Sequence, residues 1–280
     1  LDNQNTLALA FYAEILVDQQ KWTQGEESIR QALDRDPSLM DVHRIYAYVL
    51  ESLGQYNQAI QEYDQAISIS PNLTFLYLRA GANYRRLAFE SPNEETQKSL
   101  YKRSLDYFAK AVRLNDQLEI RDPIPYLSIA KTYSQMGEFF IAARNVEEAM
   151  ELYPANADIY GQLGIVYFKS RNYEGSIPVL KCAVRGCTPA ESCEVRGGCA
   201  EGDPGVQVEG LALSANTVVY YYTYGSVLAA LSRPKQNYCS EALTVLSEVR
   251  AAYGGDRDII GIVQAGEQIC LSLVASPGLK

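Results

Sequence analysis

Small residues recur at regular places among the apolar positions of this sequence. In residues 40–73, one run with helical spacing of apolar positions ends at a turn over 53–55, and a second run begins at Tyr56. The small position of each first helix is filled in turn by Ala13, Ala47, Gly81, Ala130, Gly164 and Gly225. The matching position of each second helix is filled by Gly25, Ala59, Ser104, Ala142, Ser176 and Ala242. Antiparallel helices approach closely only where neither carries a large side chain, so the pattern predicts six helix pairs.

An aromatic residue opens most of the predicted second helices, and these residues are Trp22, Tyr56, Tyr101, Phe139 and Tyr173. Pro37 and Pro71, which end the first two units, lie 34 residues apart. These columns and this period resemble the tetratricopeptide repeat family. The resemblance implies an all-α fold, a right-handed superhelical solenoid of about six antiparallel helix pairs with a C-terminal capping helix.

The repeat pattern divides the chain into four segments. We expect a solenoid of five helix pairs over 1–184, a Cys- and Gly-rich insertion over 185–216, a sixth pair over 217–258, and a capping helix and tail over 259–280. The insertion is too rich in Gly to sustain a helix. Its alternating apolar residues between Val206 and Leu213 favour a short β-hairpin or an extended strap. In the third repeat, Ser91 is expected to cap the second helix.

Charge and hydropathy argue against nucleic-acid binding and against a membrane-spanning helix. The formal charge is −9 and the isoelectric point is near 4.8, which argues against nucleic acid because phosphate binding depends on Lys and Arg. The most apolar run, 259–274, is interrupted by polar residues and is too short to span a bilayer. Any signal or anchor segment is expected to lie outside this chain.

All six cysteines lie after residue 181. Their even number and their position around a Gly-rich segment favour disulfides, and hence an extracytoplasmic location that is secreted, periplasmic or at the cell surface. Zinc binding and free thiols are the alternatives, but the first four cysteines are spaced C-x4-C-x5-C-x5-C, without the close pairs of structural zinc sites. The preferred pairs are Cys182 with Cys187, Cys193 with Cys199, and Cys239 with Cys270.

No motif in the sequence indicates catalysis. There is no GxSxG, no HExxH and no Gly-rich loop between a strand and a helix. The one histidine, His43, is interpreted as a structural residue. We therefore expect no enzyme, no cofactor and no metal, with an active site in the 185–216 insertion as the remote alternative. Asn72 begins the sequon Asn-Leu-Thr and is a candidate glycosylation site.

The resemblance also implies a binding groove, because the first helices of such repeats line a concave surface. The residues placed at or near that groove are Arg44, Tyr48, Arg79, Arg85, Arg86, Lys131 and Lys169. Such a basic stripe would favour an acidic peptide or a carboxylate. The alternative is that these residues pair with Asp and Glu of neighbouring repeats. The clamp by which chaperone-binding members hold a terminal carboxylate is absent, because its positions carry Ala10, Glu14 and Ile45.

The function expected from these features is a non-catalytic protein–protein interaction scaffold exposed outside the cytoplasm. It would bind a peptide or a partner subunit along its helical surfaces. The alternative is a structural subunit that self-assembles head to tail into a homo-oligomer or an extracellular filament.

Overall fold

A computed structural model describes residues 5–275 of the chain. The described residues group into two compact units, the first ending at Gly137 and the second beginning at Glu138. Unit 1 holds α1 Thr6–Asp18, α2 Trp22–Arg35, α3 Met40–Ser52, α4 Tyr56–Ile69, α5 Thr74–Glu90, α6 Glu94–Gln117 and α7 Ile124–Met136. Within it, α1 packs on α2 and α3, each helix from α2 to α6 packs on the helices that precede and follow it, and α7 packs on α5 and α6.

Unit 2 holds the remaining helices of the described chain. They are α8 Phe139–Leu152, α9 Ala157–Lys169, α10 Tyr173–Arg185, α11 Pro189–Val195, α12 Val218–Leu231, α13 Cys239–Tyr253 and α14 Arg257–Ala275. Residues 5–275 contain no β-strand, and the expected all-α fold of antiparallel helix pairs is confirmed. No helix among these residues is long and apolar enough to cross a membrane.

The small-residue columns lie where helices come closest. A Cβ atom added at Gly81 of α5 would lie 2.7 Å from the ring of Phe108 in α6. One added at Gly164 of α9 would lie 2.5 Å from Leu180 of α10. Real Cβ contacts are not this short, so only glycine leaves enough space at these two positions for the large side chain of the partner helix.

Asparagine residues start several of the helices. The side chains of Asn5, Asn93, Asn156 and Asn172 accept hydrogen bonds from backbone N–H groups in the first turns of α1, α6, α9 and α10. The expected cap at Ser91 is wrong, because α6 begins at Glu94 and Asn93 provides the cap. Asn93 lies directly before the first helical residue, where its carboxamide oxygen can reach the N–H of Thr96.

The insertion over 185–216 consists of a short helix and an irregular return segment. A helix does form there, since α11 begins with a capping box in which Thr188 and Glu191 each bond the other's backbone N–H. The expected β-hairpin is wrong, because strand-like pairing in this segment is limited to one bridge, between Cys187 and Val208. Val208 is fully buried, so this single pair fastens the returning chain to unit 2.

The last helix is joined covalently to the helix before it. A disulfide links Cys239, at the start of α13, to Cys270 in α14, and both sulfurs are buried among apolar residues of unit 2. Arg250 of α13 also forms an ion pair with Glu267 of α14. The capping helix is thus held by a covalent bond, an ion pair and apolar packing.

Candidate interaction groove

A surface groove of about 360 Å³ opens on unit 1. Helices α1, α3 and α5 provide most of its wall, and α4 provides one tyrosine. Its lining residues are Glu14, Asp18, Arg44, Tyr48, Tyr63, Phe75 and Arg79. Three of the seven residues expected at a binding groove, Arg44, Tyr48 and Arg79, therefore lie together on its wall.

Arg44 is held rigidly at one side of the groove. Its Nη1 and Nη2 atoms donate to the two carboxylate oxygens of Glu14, each at 3.1 Å, and its Nε donates to Asp41 at 2.9 Å. Burial lowers the pKa of Arg44, but these hydrogen bonds outweigh burial and keep the pKa above its ordinary value. The guanidinium group also lies 5.9 Å from the ring centre of Phe11. The guanidinium group of Arg44 is therefore fixed in position before any ligand binds.

A second network forms the floor. Arg79 donates from Nε to the hydroxyl of Tyr63 at 3.2 Å and from Nη2 to Glu51 at 3.1 Å. Tyr63 and Asn83 both donate to the other oxygen of Glu51, at 3.1 and 3.0 Å. Burial, more than the nearby carboxylate, raises the pKa of Tyr63 well above its ordinary value. Tyr48 completes the wall, and its ring centre lies 5.7 Å from the guanidinium group of Arg79.

The charges of the groove are matched internally. Two guanidinium groups, those of Arg44 and Arg79, contact the carboxylates of Glu14, Asp41 and Glu51. A further carboxylate, Asp18, accepts a hydrogen bond from the Tyr48 hydroxyl at 2.6 Å. The alternative in which the basic residues pair with acidic residues of neighbouring repeats describes this groove better than an open basic stripe does.

Exposed apolar side chains flank the paired charges, and sequence analysis missed them. Phe75 lines the groove, and Leu7, Phe11 and Ile15 of α1 are exposed. The signal in the sequence was the spacing of four between these α1 residues, which places them on one face. That face is separate from the buried one that carries Ala13.

Two of the remaining expected groove residues make other contacts. Arg85 donates from Nη1 to the backbone carbonyl of Ser128 in α7 at 3.1 Å, and it lies over the ring of Phe108. Burial lowers the pKa of Arg85. Arg86 is exposed and pairs with Glu90 of its own helix at 2.7 Å. Neither of them lines the groove.

The last two expected groove residues lie on different units, and the sequon lies on unit 1. Lys131 is exposed on α7 of unit 1, and Lys169 is exposed at the end of α9 in unit 2. Asn72 is exposed in the turn between α4 and α5, where a glycan could attach. Its modification stays a prediction.

The six cysteines form three disulfides, Cys182–Cys187, Cys193–Cys199 and Cys239–Cys270. With all six paired, none is free to ligate zinc in this state of the protein. Across residues 5–275, no group of three or more His, Cys, Asp or Glu residues is placed to hold a metal ion.

His43 joins two elements of unit 1. Its Nδ1 atom lies 2.7 Å from a carboxylate oxygen of Glu62, and its Nε2 atom lies 2.8 Å from the backbone carbonyl of Pro37. Both ring nitrogens face acceptors, so the doubly protonated form satisfies both. The hydrogen bond to Glu62, opposed by burial and helped by the Pro37 carbonyl, raises the pKa of His43.

This arrangement predicts a pH-dependent stability. Because the pKa of His43 is higher in the folded state, protonation stabilises unit 1 below about pH 6.5, and the stabilisation is lost as pH rises through the folded-state pKa. We expect the free energy of unfolding of unit 1 to exceed that of the His43→Gln variant by an amount that shrinks as pH rises. Urea unfolding followed by the fluorescence of Trp22, the chain's single tryptophan, measures this difference. A difference that stays constant from about pH 5.5 to 8.5 would contradict the assignment.

Comparisons with known proteins agree with the helix pairs. The profile of the tetratricopeptide repeat family matches residues 13–74. The interferon-induced protein with tetratricopeptide repeats 2 of Cricetulus griseus is 28% identical over 127 residues, which cover 42% of this chain and 27% of that protein. The chain therefore spans about a quarter of the length of this relative.

Two solved structures share the fold over nearly the whole chain. PilF of Pseudomonas aeruginosa has a TM-score of 0.60 at 13% identity, with 95% of this chain and 96% of PilF covered. PilW, described as a widely conserved type IV pilus biogenesis factor, has a TM-score of 0.62 at 15% identity, with 92% and 98% covered. The tetratricopeptide repeat profile thus matches part of unit 1, and the solved structures share the fold of the chain. This fold supports a protein–protein interaction scaffold, and proteins of the family are generally non-catalytic.

Proposed function

We propose that this protein is a non-catalytic scaffold outside the cytoplasm, and that the groove of unit 1 binds an exposed segment of a partner protein. One observation carries the proposal. Two partly exposed phenylalanine rings, Phe75 on the wall and Phe11 beside Arg44, flank a groove whose arginine side chains are already fixed by carboxylates. A surface built in this way offers apolar area and oriented hydrogen-bond donors together.

The groove favours a segment that carries large apolar side chains. Phe11 and Phe75 are 43% and 42% exposed, so covering both completely contributes about 1–3 kcal/mol in total, which is the main attraction. Arg44 and Arg79 lose little side-chain freedom on binding, because their neighbours already hold them. An acidic segment gains less than the sequence suggested, since each guanidinium group already contacts a carboxylate.

The disulfides support the extracytoplasmic part of the proposal. All three disulfides lie in unit 2. Disulfides persist in oxidising compartments but are rare in the cytosol. A glycan on the exposed Asn72 would agree with such a compartment.

Selection from a phage-displayed library of random dodecapeptides tests the groove. We expect the selected peptides to be rich in aromatic and aliphatic residues. By isothermal titration, Phe11→Ala combined with Phe75→Ala should weaken binding of these peptides by at least about tenfold, because truncating buried aromatic anchors typically has this effect.

Phe140→Ala is the matched control, because this ring on α8 is 88% exposed and lies in unit 2. It should leave the affinity unchanged. If acidic peptides are selected instead, and their affinity falls steeply with salt in a way that Arg79→Glu removes, the basic-stripe interpretation replaces this one. Peptides that lose binding with Phe140→Ala but not with the groove variants would refute the groove.

Self-assembly is a second candidate, favoured by exposed apolar side chains on the first and last described helices. Leu7 and Ile15 are exposed on α1, and Ile262, Ile269 and Leu271 are exposed on α14. Repeat proteins normally end in a polar face, and complementary ends can stack head to tail into a filament. Electron microscopy of the purified protein tests self-assembly. Fibres that are lost with Ile262→Glu would establish the second candidate, and a dispersed monomer would exclude it.

A further inference from the structure

One of the three disulfides is more accessible than the other two. Cys182, Cys187, Cys239 and Cys270 are all buried. Cys193 and Cys199 are only partly buried, and they lie at either side of the end of α11. Cys193–Cys199 is therefore the least buried of the three disulfides, and the segment around Gly205, where an added Cβ would lie 2.6 Å from Sγ of Cys193, is what a thiolate from solution has to displace.

A cation also lies against this disulfide. Arg196 donates from Nη2 to the Sγ atom of Cys199 at 2.9 Å, and the same nitrogen is 3.9 Å from the Sγ atom of Cys193. Among the described residues, the other two disulfides have no such contact from Lys or Arg. The positive charge is therefore specific to the accessible disulfide and is unequally shared between its sulfurs.

The surroundings of Arg196 fix its position beside the disulfide. Its side chain is only 6% exposed. It forms ion pairs with two carboxylates: Nη1 lies 3.7 Å from Glu151, and Nη2 lies 3.7 Å from Asp203. Its Nε donates to the carbonyl of Ser192 at 3.4 Å, which orients the group. The closest partner of the Nη2 atom is thus the sulfur of Cys199.

We propose that Cys193–Cys199 is a thiol–disulfide exchange site whose substrate is the dithiol of a partner protein. A neighbouring arginine stabilises a thiolate, and a stabilised thiolate leaves a disulfide faster. Cys199, which has the shorter contact with Arg196, is therefore the leaving sulfur, and Cys193 is the sulfur attacked. This inference rests on unit 2 and is independent of the groove of unit 1.

The exchange balances in two steps. A partner thiolate attacks Sγ of Cys193, the bond between Cys193 and Cys199 breaks, and its electron pair goes to Cys199, whose thiolate lies beside Arg196. The second thiolate of the partner then attacks the mixed disulfide and releases the thiolate of Cys193. The partner's dithiol is oxidised to a disulfide, and the two cysteines of this protein are reduced.

Reduction would loosen one part of the insertion only. Between the disulfide and Val206, the chain is held to α11 by hydrogen bonds from Gly198 N to the Cys193 carbonyl and from Val206 N to the Ser192 hydroxyl. The bridge at Val208 and the buried disulfides do not depend on Cys199. The exchange site can therefore open while the rest of unit 2 stays folded.

Timed reduction of the folded full-length chain with dithiothreitol tests the proposal. Free thiols are alkylated at each time point and located by peptide mass spectrometry. We expect Cys193 and Cys199 to be alkylated at least about tenfold faster than the other four cysteines. With glutathione as a monothiol probe, the mixed disulfide should be found on Cys193, with Cys199 alkylated.

Variants of Arg196 separate leaving-group stabilisation from simple exposure. Arg196→Gln should slow reduction by about three- to tenfold and spread the glutathione adduct over both cysteines, whereas Arg196→Lys should keep the adduct on Cys193. The position of the adduct is informative even if the variant loosens α11. Equal reduction rates for all three disulfides would overturn the proposal, and so would an adduct on Cys193 that persists in Arg196→Gln.

Discussion

Replacing Phe108 with alanine is expected to lower the free energy of unfolding of unit 1 by about 3–5 kcal/mol, because the ring is fully buried and its removal leaves a cavity. The ring fills the space that Gly81 leaves open between α5 and α6. Arg85 lies over the same ring, so the substitution also removes a contact between that cation and the aromatic face. Urea unfolding followed by the fluorescence of Trp22 in α2 measures the loss in unit 1.

Phe89→Ala is the control for this substitution. Phe89 lies on α5 in the same unit but is 61% exposed, so its loss should change the stability by less than about 0.5 kcal/mol. Gly81→Ala provides a second test, because its new methyl group would meet Phe108. It should be less destabilising in the Phe108→Ala background than alone, since the cavity accepts the methyl group. Equal costs in both backgrounds would show that Gly81 and Phe108 are not coupled.

Removing the Cys239–Cys270 disulfide with a pair of alanine substitutions is expected to destabilise unit 2 by about 3–4 kcal/mol. The two cysteines are 31 residues apart, and cross-linking a loop of this length restricts the unfolded chain substantially. The same disulfide fixes α14 against α13, so helix content should also be lost at lower denaturant concentration. Far-UV circular dichroism detects this transition.

Trp22 and a second disulfide supply the controls. Trp22 lies in unit 1, so its fluorescence transition is expected to keep its midpoint when the cysteines of unit 2 are replaced. Cys182–Cys187 closes a loop with a separation of only five residues, and its removal should cost about 2 kcal/mol by the same reasoning. Equal losses for the two disulfides would contradict the loop-length explanation.

The recurring small positions were predictable because they depend only on the size of the side chain at each position. Gly164 is small since Leu180 occupies its place, and this constraint is visible wherever a small residue recurs at a fixed interval. The cap of α6 was less predictable. Ser91, Asn93 and Glu94 all occur near the boundary, and a shift of two residues in the first helical position decides which of them caps.

The helix of the insertion was not predicted because the Gly-rich composition of the segment outweighed a local helix-start signal. Composition opposed a helix, yet the reciprocal bonds of Thr188 and Glu191 stabilise one short turn after a proline at the first position. Lys181 of α10 adds an ion pair to Glu191 at 2.5 Å. A local capping box therefore starts this helix, and one contact from α10 adds to it.

The sequence by itself determined that the chain folds into antiparallel helix pairs, since the spacing of small and aromatic residues specifies how two helices pack. Only the tertiary structure decided the chemistry of the groove. Arg44 and Glu14 are 30 residues apart, so their bidentate pair depends on the packing of α1 against α3. Ion pairs and exposed surfaces arise between repeats, and a one-dimensional pattern records only which residues are available to form them.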